Sequence, residues 1–274
     1  MILETSVIDG LEVLSCKAKK PKHETPLLFV HGAFSSGWMW SQTFMPYFAE
    51  HGYHCVALSL RGHGDSHGQQ KMDWHSIAHY VEDVEIVSDW MGQRPALIGH
   101  SMGGFVVQKY LERHQAPAVV LMSSAPPQGL IAAQFHLLVK NPRLFMDINR
   151  ILGGNEDPKR LINALRSALF AQPVEEDVLL DFLRHMRPES HRAIWDMSMF
   201  NLPRLHESQR PPLLVLGGEE DLLIPAFLVQ ATARTYGLQA HLFRGMGHAL
   251  THEKEWPLVA ALIKNWLDKT LAAN

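Results

Sequence analysis

The fold of this chain is decided by residues 96–104, Ala-Leu-Ile-Gly-His-Ser-Met-Gly-Gly. An apolar run typical of a buried strand leads into Gly-His-Ser-Met-Gly, and residues 105–111 then have the pattern of a helix. A serine on so sharp a strand-to-helix turn holds an unfavourable backbone conformation, so its neighbours two positions away must be small. Gly99 and Gly103 meet that requirement. We therefore expect Ser101 to project its hydroxyl into a cleft, beside the free amides of the helix N-terminus.

Strand and helix patterns alternate on both sides of this stretch. Strands are predicted at 6–15 (two short ones around an Asp-Gly turn), 26–30, 53–58 and 118–123, and helices at 38–50 and 74–90. In the second helix, Trp74 is predicted to share the apolar face. Such alternation implies α/β architecture with a mostly parallel sheet and right-handed crossovers. The functional site of such a sheet lies at the carboxyl ends of its strands.

The alternation stops between residues 128 and 210, where helical patterns dominate, and it resumes with strands at 211–218 and 239–243 and helices at 227–236 and 256–271. We therefore divide the chain into a first core part (1–127), a helical insertion (128–210) and a second core part (211–274). The insertion is too long for a simple connection. Its apolar inner face is predicted to include Phe135, Leu137, Leu138, Phe145, Met146, Ile148, Trp195, Met197, Met199 and Phe200.

Composition excludes several classes of protein. The chain has 274 residues, of which 46% are hydrophobic and 19% charged, and its formal net charge of −3 comes from scattered residues. No basic patch indicates a nucleic-acid partner, and no apolar run reaches the roughly 18–20 residues of a membrane span. The N-terminus lacks a basic region followed by an apolar one, which predicts a soluble, cytoplasmic protein. A monomer and a homodimer are both compatible with the sequence.

Neither the cysteines nor the histidines indicate a metal site. Cys16 and Cys55 have no CxxC spacing, so we expect buried thiols in a reducing compartment rather than a disulfide framework. His63, Asp65 and His67 are of the right ligand types, but a cluster on one loop lacks the remote ligands that a metal site needs. The sequence therefore predicts no metal.

Four further segments carry a resemblance to a known family. They are His31-Gly32-Ala33-Phe34 after a buried strand, Arg61-Gly62-His63-Gly64-Asp65-Ser66 after the next, Gly218-Glu219-Glu220-Asp221, and Gly245-Met246-Gly247-His248. Together with the serine turn, they make the chain resemble an α/β-hydrolase-fold serine hydrolase of the esterase/lipase type with a helical cap. The serine, aspartate and histidine follow one another in the order found in that family.

The resemblance implies a role for each of these residues. Ser101 would be the nucleophile, His248 its general base and Asp221 the acid that orients the imidazole. Glu219 and Glu220 compete with Asp221, which alone matches the family spacing with a proline four residues later. The amides of Ala33 and Met102 would form the oxyanion hole. Phe34, Leu222 and Ala249 would contact the substrate.

The implied activity is hydrolysis of a small-to-medium carboxylic ester through an acyl-enzyme, with a small apolar acyl substrate and no cofactor. C–C bond, thioester and lactone hydrolysis use the same machinery and stay open. Haloalkane dehalogenases and epoxide hydrolases of this fold carry aspartate where this chain has Ser101. A receptor that only holds a small ligand is the alternative from a different class, and its signature would be a damaged triad.

Overall fold

An eight-stranded sheet forms the centre of the described part of the protein, a computed structural model covering residues 2–152, 158–204 and 210–272. The strands are β1 (Leu3–Ile8), β2 (Leu11–Cys16), β3 (Leu27–Val30), β4 (Cys55–Leu58), β5 (Ala96–His100), β6 (Val119–Met122), β7 (Leu213–Gly218) and β8 (His241–Phe243). Their order is β1-β2-β4-β3-β5-β6-β7-β8, and only the pairs β1–β2 and β2–β4 are antiparallel. The mostly parallel sheet is thus confirmed, with β5 near its middle.

Helices cover both faces of the sheet. They are α1 (Trp38–Ser41), α2 (Phe44–Glu50), α3 (Ile77–Trp90), α4 (Met102–Tyr110), α5 (Ile131–Lys140), α6 (Pro142–Leu152), α7 (Pro158–Leu169), α8 (Glu176–His185), α9 (His191–Trp195), α10 (Ala226–Thr235) and α11 (Trp256–Leu271). One apolar core lies between the sheet and α3, α4 and α10, and a second lies between the sheet and α1, α2 and α11. In the described ranges, no helix is both long and apolar enough to cross a bilayer.

Two helices differ from the sequence prediction. The helix expected over 38–50 is divided into α1 and α2, because Thr43 between them leaves the helical region with φ −131° and ψ −68°. The helix expected from Trp74 begins at Ile77, where Ser76 caps it by accepting from the amide of His79. Trp74 belongs to a preceding 3-10 turn and is 79% exposed, so its predicted place on the buried face was wrong.

The helices between β6 and β7, α5–α9, form an insertion on the sheet, and its apolar face is smaller than the sequence predicted. Leu137 and Met197 are buried as expected, but Phe135 is 67% exposed. The side chains that are exposed instead of lining an inner face are Phe135, Leu138, Met146, Trp195, Met199 and Phe200. They lie on α5, on α6 and around the turn that follows α9, whereas the residues of the insertion that line the cleft come mainly from α6, α7 and α8.

The two cysteines are buried and free, and they are direct cross-strand neighbours on β2 and β4. Burial raises the pKa of both thiols, so they are held in the protonated form. Cys16 and Cys55 therefore behave as core residues.

Candidate active site

Ser101 occupies the turn between β5 and α4 in a strained conformation. Its φ of 53° and ψ of −119° lie outside the regions that L-residues ordinarily adopt. Both backbone groups of Ser101 are hydrogen-bonded. Its amide donates to the Met122 carbonyl at 3.0 Å, and its carbonyl accepts from the amides of Gly104 and Ala125 at 3.1 Å each. The surrounding structure thereby maintains a conformation that costs on the order of 1–3 kcal/mol and that aims the serine side chain away from the sheet.

The glycines on either side of Ser101 are required by close backbone contacts. A Cβ atom on Gly103 would collide with the carbonyl oxygens of Val30 and His31. A Cβ atom on Gly99 would lie 2.7 Å from the Gly103 carbonyl oxygen and from the Cα of Gly104. Since these neighbours are backbone atoms, they cannot rotate away as a side chain could. The small residues expected from the sequence are therefore dictated by packing.

The turn after β3 packs directly against this serine. A Cβ atom on Gly32 would lie 3.0 Å from the Cβ of Ser101, a tight contact that favours glycine at this position. His31 donates from Nδ1 to the Gly32 carbonyl at 2.7 Å and accepts the Leu60 amide at Nε2, at 3.0 Å. Burial lowers the pKa of His31 well below its usual value, so the ring is neutral and can accept at Nε2. Because the Gly32 carbonyl and the Ala33 amide share one peptide plane, His31 also orients that amide.

Both predicted oxyanion donors are available. In the described ranges, neither the Ala33 amide nor the Met102 amide donates a hydrogen bond to another protein group. Ala33 lines a cleft that also contains Ser101, while Met102 is buried at the first position of α4, where helical amides have no intrahelical partner. Two N–H groups without a protein partner among the described residues thus lie close to Ser101 in the chain or in the fold, and such donors are what stabilisation of a developing oxyanion requires.

Asp221 and His248 meet beyond the ends of β7 and β8. The Nδ1 of His248 donates to Oδ2 of Asp221 at 2.8 Å, and both residues are buried. The other carboxylate oxygen, Oδ1, accepts the amides of Leu223 and Ile224 at 2.8 and 2.9 Å. With Nδ1 holding its proton, Nε2 is the nitrogen left to accept another. Glu219 and Glu220, which compete with Asp221 in the sequence, are exposed.

Three further groups fix the loop that carries His248. His100 donates from Nε2 to the His248 carbonyl at 2.9 Å, and burial together with the nearby His248 lowers the pKa of His100 to about 3. The buried carboxylate of Glu253 accepts the Gly247 amide at 2.7 Å and, from the end of α7, the Ala171 amide at 2.7 Å. The Ala249 amide donates to the Leu169 carbonyl at 2.8 Å. The inserted helices are thus hydrogen-bonded to the His248 loop.

Ser101, His100 and His248 line one cleft, between the carboxyl edge of the sheet and the inserted helices. Among the described residues no hydrogen bond joins the Ser101 hydroxyl to His248, and such contacts commonly tighten only once a substrate is bound. The structure therefore brings Ser101 and His248 to the same cleft, and Asp221 is connected to it through the hydrogen bond with His248.

The cleft is apolar and opens to solvent. Its empty volume is about 950 Å³ with the open mouth included, and in the described ranges no Asp, Glu, Lys or Arg lines it. Trp38 stacks on His185 with ring centres 4.1 Å apart and meets the edge of Phe182 at 5.4 Å, which makes a flat aromatic wall. The inserted helices contribute Ile148, Ile151, Ala164, Leu165, Ala168 and Leu169.

Two of the three predicted substrate contacts lie on the cleft wall. Phe34 and Ala249 line it. At the third position Leu223 lines the cleft, while its neighbour Leu222 packs with the small apolar cluster of the inserted helices. The difference is one residue: a turn rather than a regular strand follows β7, and it presents Leu223 instead of Leu222 to the cleft.

The side chains of His63, Asp65 and His67 on the loop after β4 do not converge on one point. His63 is buried and hydrogen-bonded to Glu189, whereas Asp65 and His67 are exposed. In the described part of the chain, no group of three or more His, Cys, Asp or Glu side chains is placed to hold a metal ion.

The sequence did not single out Glu189, Glu253 or His100 as functional residues. A carboxylate within a short polar stretch is ordinarily a solvated group, so no local sequence pattern marks Glu189 and Glu253 as buried.

Comparison with known proteins shows which proteins this chain is similar to. Residues 27–262 match the sequence model of the alpha/beta hydrolase family. A non-heme chloroperoxidase from Burkholderia pyrrocinia is 37% identical over 254 residues, covering 81% of this chain and 86% of that protein. A bifunctional esterase/perhydrolase from Acinetobacter calcoaceticus is 29% identical over 237 residues, covering 79% and 81%. The solved esterase from Exiguobacterium antarcticum superposes with a TM-score of 0.76 at 16% identity, over 98% of this chain and 100% of that one, and shares its fold.

Proposed function

Because the chain belongs to the alpha/beta hydrolase family, we propose that it is a serine hydrolase that cleaves uncharged carboxylic esters through an acyl-enzyme. The observation that carries the proposal is the pairing of a strained Ser101 with the Asp221–His248 hydrogen bond of 2.8 Å on one cleft. The first feature costs conformational energy, and the second holds a buried imidazole in one orientation. Their coincidence is accounted for by nucleophilic catalysis.

The proposed reaction has two balanced halves. The Ser101 oxygen attacks the ester carbonyl while Nε2 of His248 takes its proton, and the Ala33 and Met102 amides stabilise the oxyanion. The protonated His248 then gives that proton to the departing alcohol, which leaves an acyl-serine. Water repeats the attack with His248 as base, and the serine and a carboxylic acid are released. Asp221 stays ionised throughout and stabilises the imidazolium.

We further propose that the inserted helices are the cap that determines which acyl group binds. They supply most of the apolar wall, and a cleft without charged side chains would leave an ionised acyl group unpaired. An uncharged aliphatic or aromatic acyl group would bury its surface against Trp38, Leu165 and Ala168. The favoured substrates are therefore esters of medium, apolar acids.

A panel of p-nitrophenyl esters from acetate to dodecanoate tests both proposals. We expect turnover with an optimum at an intermediate chain length, and we expect Ala168→Phe to shift that optimum to shorter chains. Because Ala168 is a buried cleft residue, the added ring should lower kcat/KM for the longest ester by about tenfold or more. Ser167→Phe adds the same ring to the exposed side of α7 and should leave the profile unchanged. If the folded protein hydrolyses no ester, C–C, thioester or lactone cleavage becomes the better hypothesis.

A second candidate function comes from the relatives, two of which are named for perhydrolase or chloroperoxidase activity. In this variant hydrogen peroxide takes the place of water. One peroxide oxygen attacks the acyl-serine carbonyl, its proton passes through His248 to the serine oxygen, and a peroxy acid leaves. The proposal requires no residue beyond those of ester hydrolysis, because only the acyl acceptor differs.

Adding hydrogen peroxide to the ester assay tests this second candidate. We expect peroxy acid, measured by the bromide oxidation it causes, to rise with peroxide while the yield of carboxylic acid falls. Enzyme inactivated with a sulfonyl fluoride serves as the blank for direct oxidation by peroxide. Unimpaired ester hydrolysis with no peroxy acid would rule the second function out and leave the first intact.

A further inference from the structure

Glu189 is a buried carboxylate to which the proposed chemistry assigns no role. It follows α8, and only 2% of its surface is exposed. Its Oε1 accepts from the Tyr80 hydroxyl and the Ser190 amide, both at 2.8 Å. Its Oε2 accepts from Nε2 of His63 at 3.1 Å and from the Phe34 amide at 3.3 Å. Four donors from four segments thus converge on this carboxylate.

The contact with Phe34 reaches the turn that presents the Ala33 amide. Phe34 has a φ of 62°, which is unfavourable for a residue with a side chain. Both of its backbone groups are held by the segment after α8: its amide donates to Glu189, and its carbonyl accepts the Arg187 amide at 3.1 Å. The strained turn therefore depends on residues more than 150 positions away in sequence.

The hydrogen-bond pattern also defines the charge state of the cluster. Nδ1 of His63 faces the Arg61 carbonyl at 3.1 Å and Nε2 faces Glu189, so both ring nitrogens must carry protons. Although burial alone would lower the pKa of His63, the charge of Glu189 raises it above its usual value, and Asp83 adds to that effect. His31 and Tyr80 are the other titratable groups that face the ring, at 5.0 and 5.8 Å between ring centres. Glu189 is therefore an anion paired with a cation.

We propose that Glu189 is a positioning residue for the oxyanion hole, which it serves by accepting the Phe34 amide and so holding the turn that aims the Ala33 N–H. The inference rests on the proposed function, because it assigns that N–H to the oxyanion. His31 fixes one side of the Ala33 residue through the Gly32 carbonyl, and Glu189 fixes the other through the Phe34 amide. The donor is thus held from both neighbouring peptide planes.

Glu189→Gln removes this contact and the negative charge, while the other hydrogen bonds of the side chain can be kept. If the glutamine oxygen replaces Oε1, it still accepts from the Tyr80 hydroxyl and the Ser190 amide. The amino group of the glutamine then donates to Nε2 of a neutral His63, whose Nδ1 still donates to the Arg61 carbonyl. The Phe34 amide then faces an N–H group and loses its acceptor. The opposite orientation leaves the Ser190 amide unpaired and a buried His63 without a counterion, so it is the less favourable one.

The experiment compares Glu189→Gln with Tyr80→Phe, which removes a donor from the same carboxylate but leaves the Phe34 contact in place. For a p-nitrophenyl ester, we expect the glutamine variant to lose about ten- to a hundredfold in kcat, because a displaced oxyanion donor acts on the transition state. Its KM should stay within about threefold, since the cleft wall is unaltered. Tyr80→Phe should retain the wild-type kcat even if its melting temperature falls.

Amide hydrogen exchange provides a readout that does not need activity. The Phe34 amide should be strongly protected in the wild type and in Tyr80→Phe, and it should exchange faster in Glu189→Gln. An unprotected Phe34 amide in the wild type would overturn the proposal without any variant, as would equal kcat values for Glu189→Gln and the wild type. If the wild type hydrolyses no ester but its Phe34 amide behaves as expected, the ester function fails and the positioning contact stands.

Discussion

Replacing Ser101 by alanine should lower kcat for p-nitrophenyl esters by about 10⁴-fold or more, which corresponds to loss of the acyl-enzyme route. The backbone at this position is held by hydrogen bonds to Met122, Gly104 and Ala125 that do not involve the side chain. Alanine should therefore keep the turn between β5 and α4 and the amides of Ala33 and Met102, and a small residual rate from oxyanion stabilisation should remain. The measurement is steady-state turnover, with mass spectrometry of a fluorophosphonate adduct on the peptide that contains Ser101.

Ser123 provides a matched control for this substitution. It directly follows the neighbouring strand β6, it is fully buried and it has a positive φ of 40°. Its hydroxyl has no hydrogen-bond partner among the described residues, so Ser123→Ala removes the same atom without a catalytic consequence. Its kcat should equal that of the wild type. A Ser101→Ala protein that keeps most of its activity, or an adduct on another residue, would refute the serine mechanism.

The parts of the fold that could be predicted from sequence are those set by local pattern. The apolar runs at 27–30, 96–98 and 119–122 are strands buried on both faces. Such short apolar runs, separated by segments with helical periodicity, have few possible secondary structures other than strands. Gly99, Gly103 and Gly32 are informative because each permits a contact that a side chain would block. The candidate site follows from these, because the carboxyl ends of adjacent parallel strands meet at one edge.

The parts that could not be predicted depend on partners distant in sequence. Glu189 is buried because His63, 126 residues earlier, supplies its counterion, and no periodicity encodes that pairing. Glu253 is buried because the amides of Gly247 and Ala171 converge on it. Conversely, Phe135 has the helical spacing of a core residue but lies on the outer side of α5. Which face of an inserted helix meets the core is determined by its neighbours, and the amino-acid pattern alone leaves that choice open.

Two backbone contacts connect the inserted helices to the two candidate catalytic loops. The end of α7 accepts the Ala249 amide through Leu169, and the segment after α8 donates the Arg187 amide to Phe34. Each contact is accompanied by a buried glutamate, Glu253 at the first and Glu189 at the second. The same segments that line the cleft thus hold the His248 loop and the turn at Ala33 and Phe34. Cap substitutions that shift these segments should affect kcat as well as substrate choice.

A strong test of the acid assignment is Asp221→Asn, for which we expect kcat to fall by about 10³- to 10⁴-fold. Oδ1 of Asp221 accepts the amides of Leu223 and Ile224, so the asparagine oxygen must take that place. Its amino group then faces Nδ1 of His248, which can only accept there and moves its proton to Nε2. An imidazole in that tautomer cannot take the proton of Ser101.

Steady-state kcat of Asp221→Asn is compared with that of three other carboxylate-to-amide changes. Asp196→Asn alters a buried carboxylate that accepts the Ile77 amide away from the cleft, and it should lower stability without lowering kcat. Glu219→Gln and Glu220→Gln alter the exposed neighbours of Asp221 and should leave both quantities close to the wild type. A larger loss of kcat in either glutamate variant than in Asp221→Asn would transfer the role of triad acid to that residue. Since all four changes remove one charge and keep the side-chain shape, only the contact with His248 separates the expected outcomes.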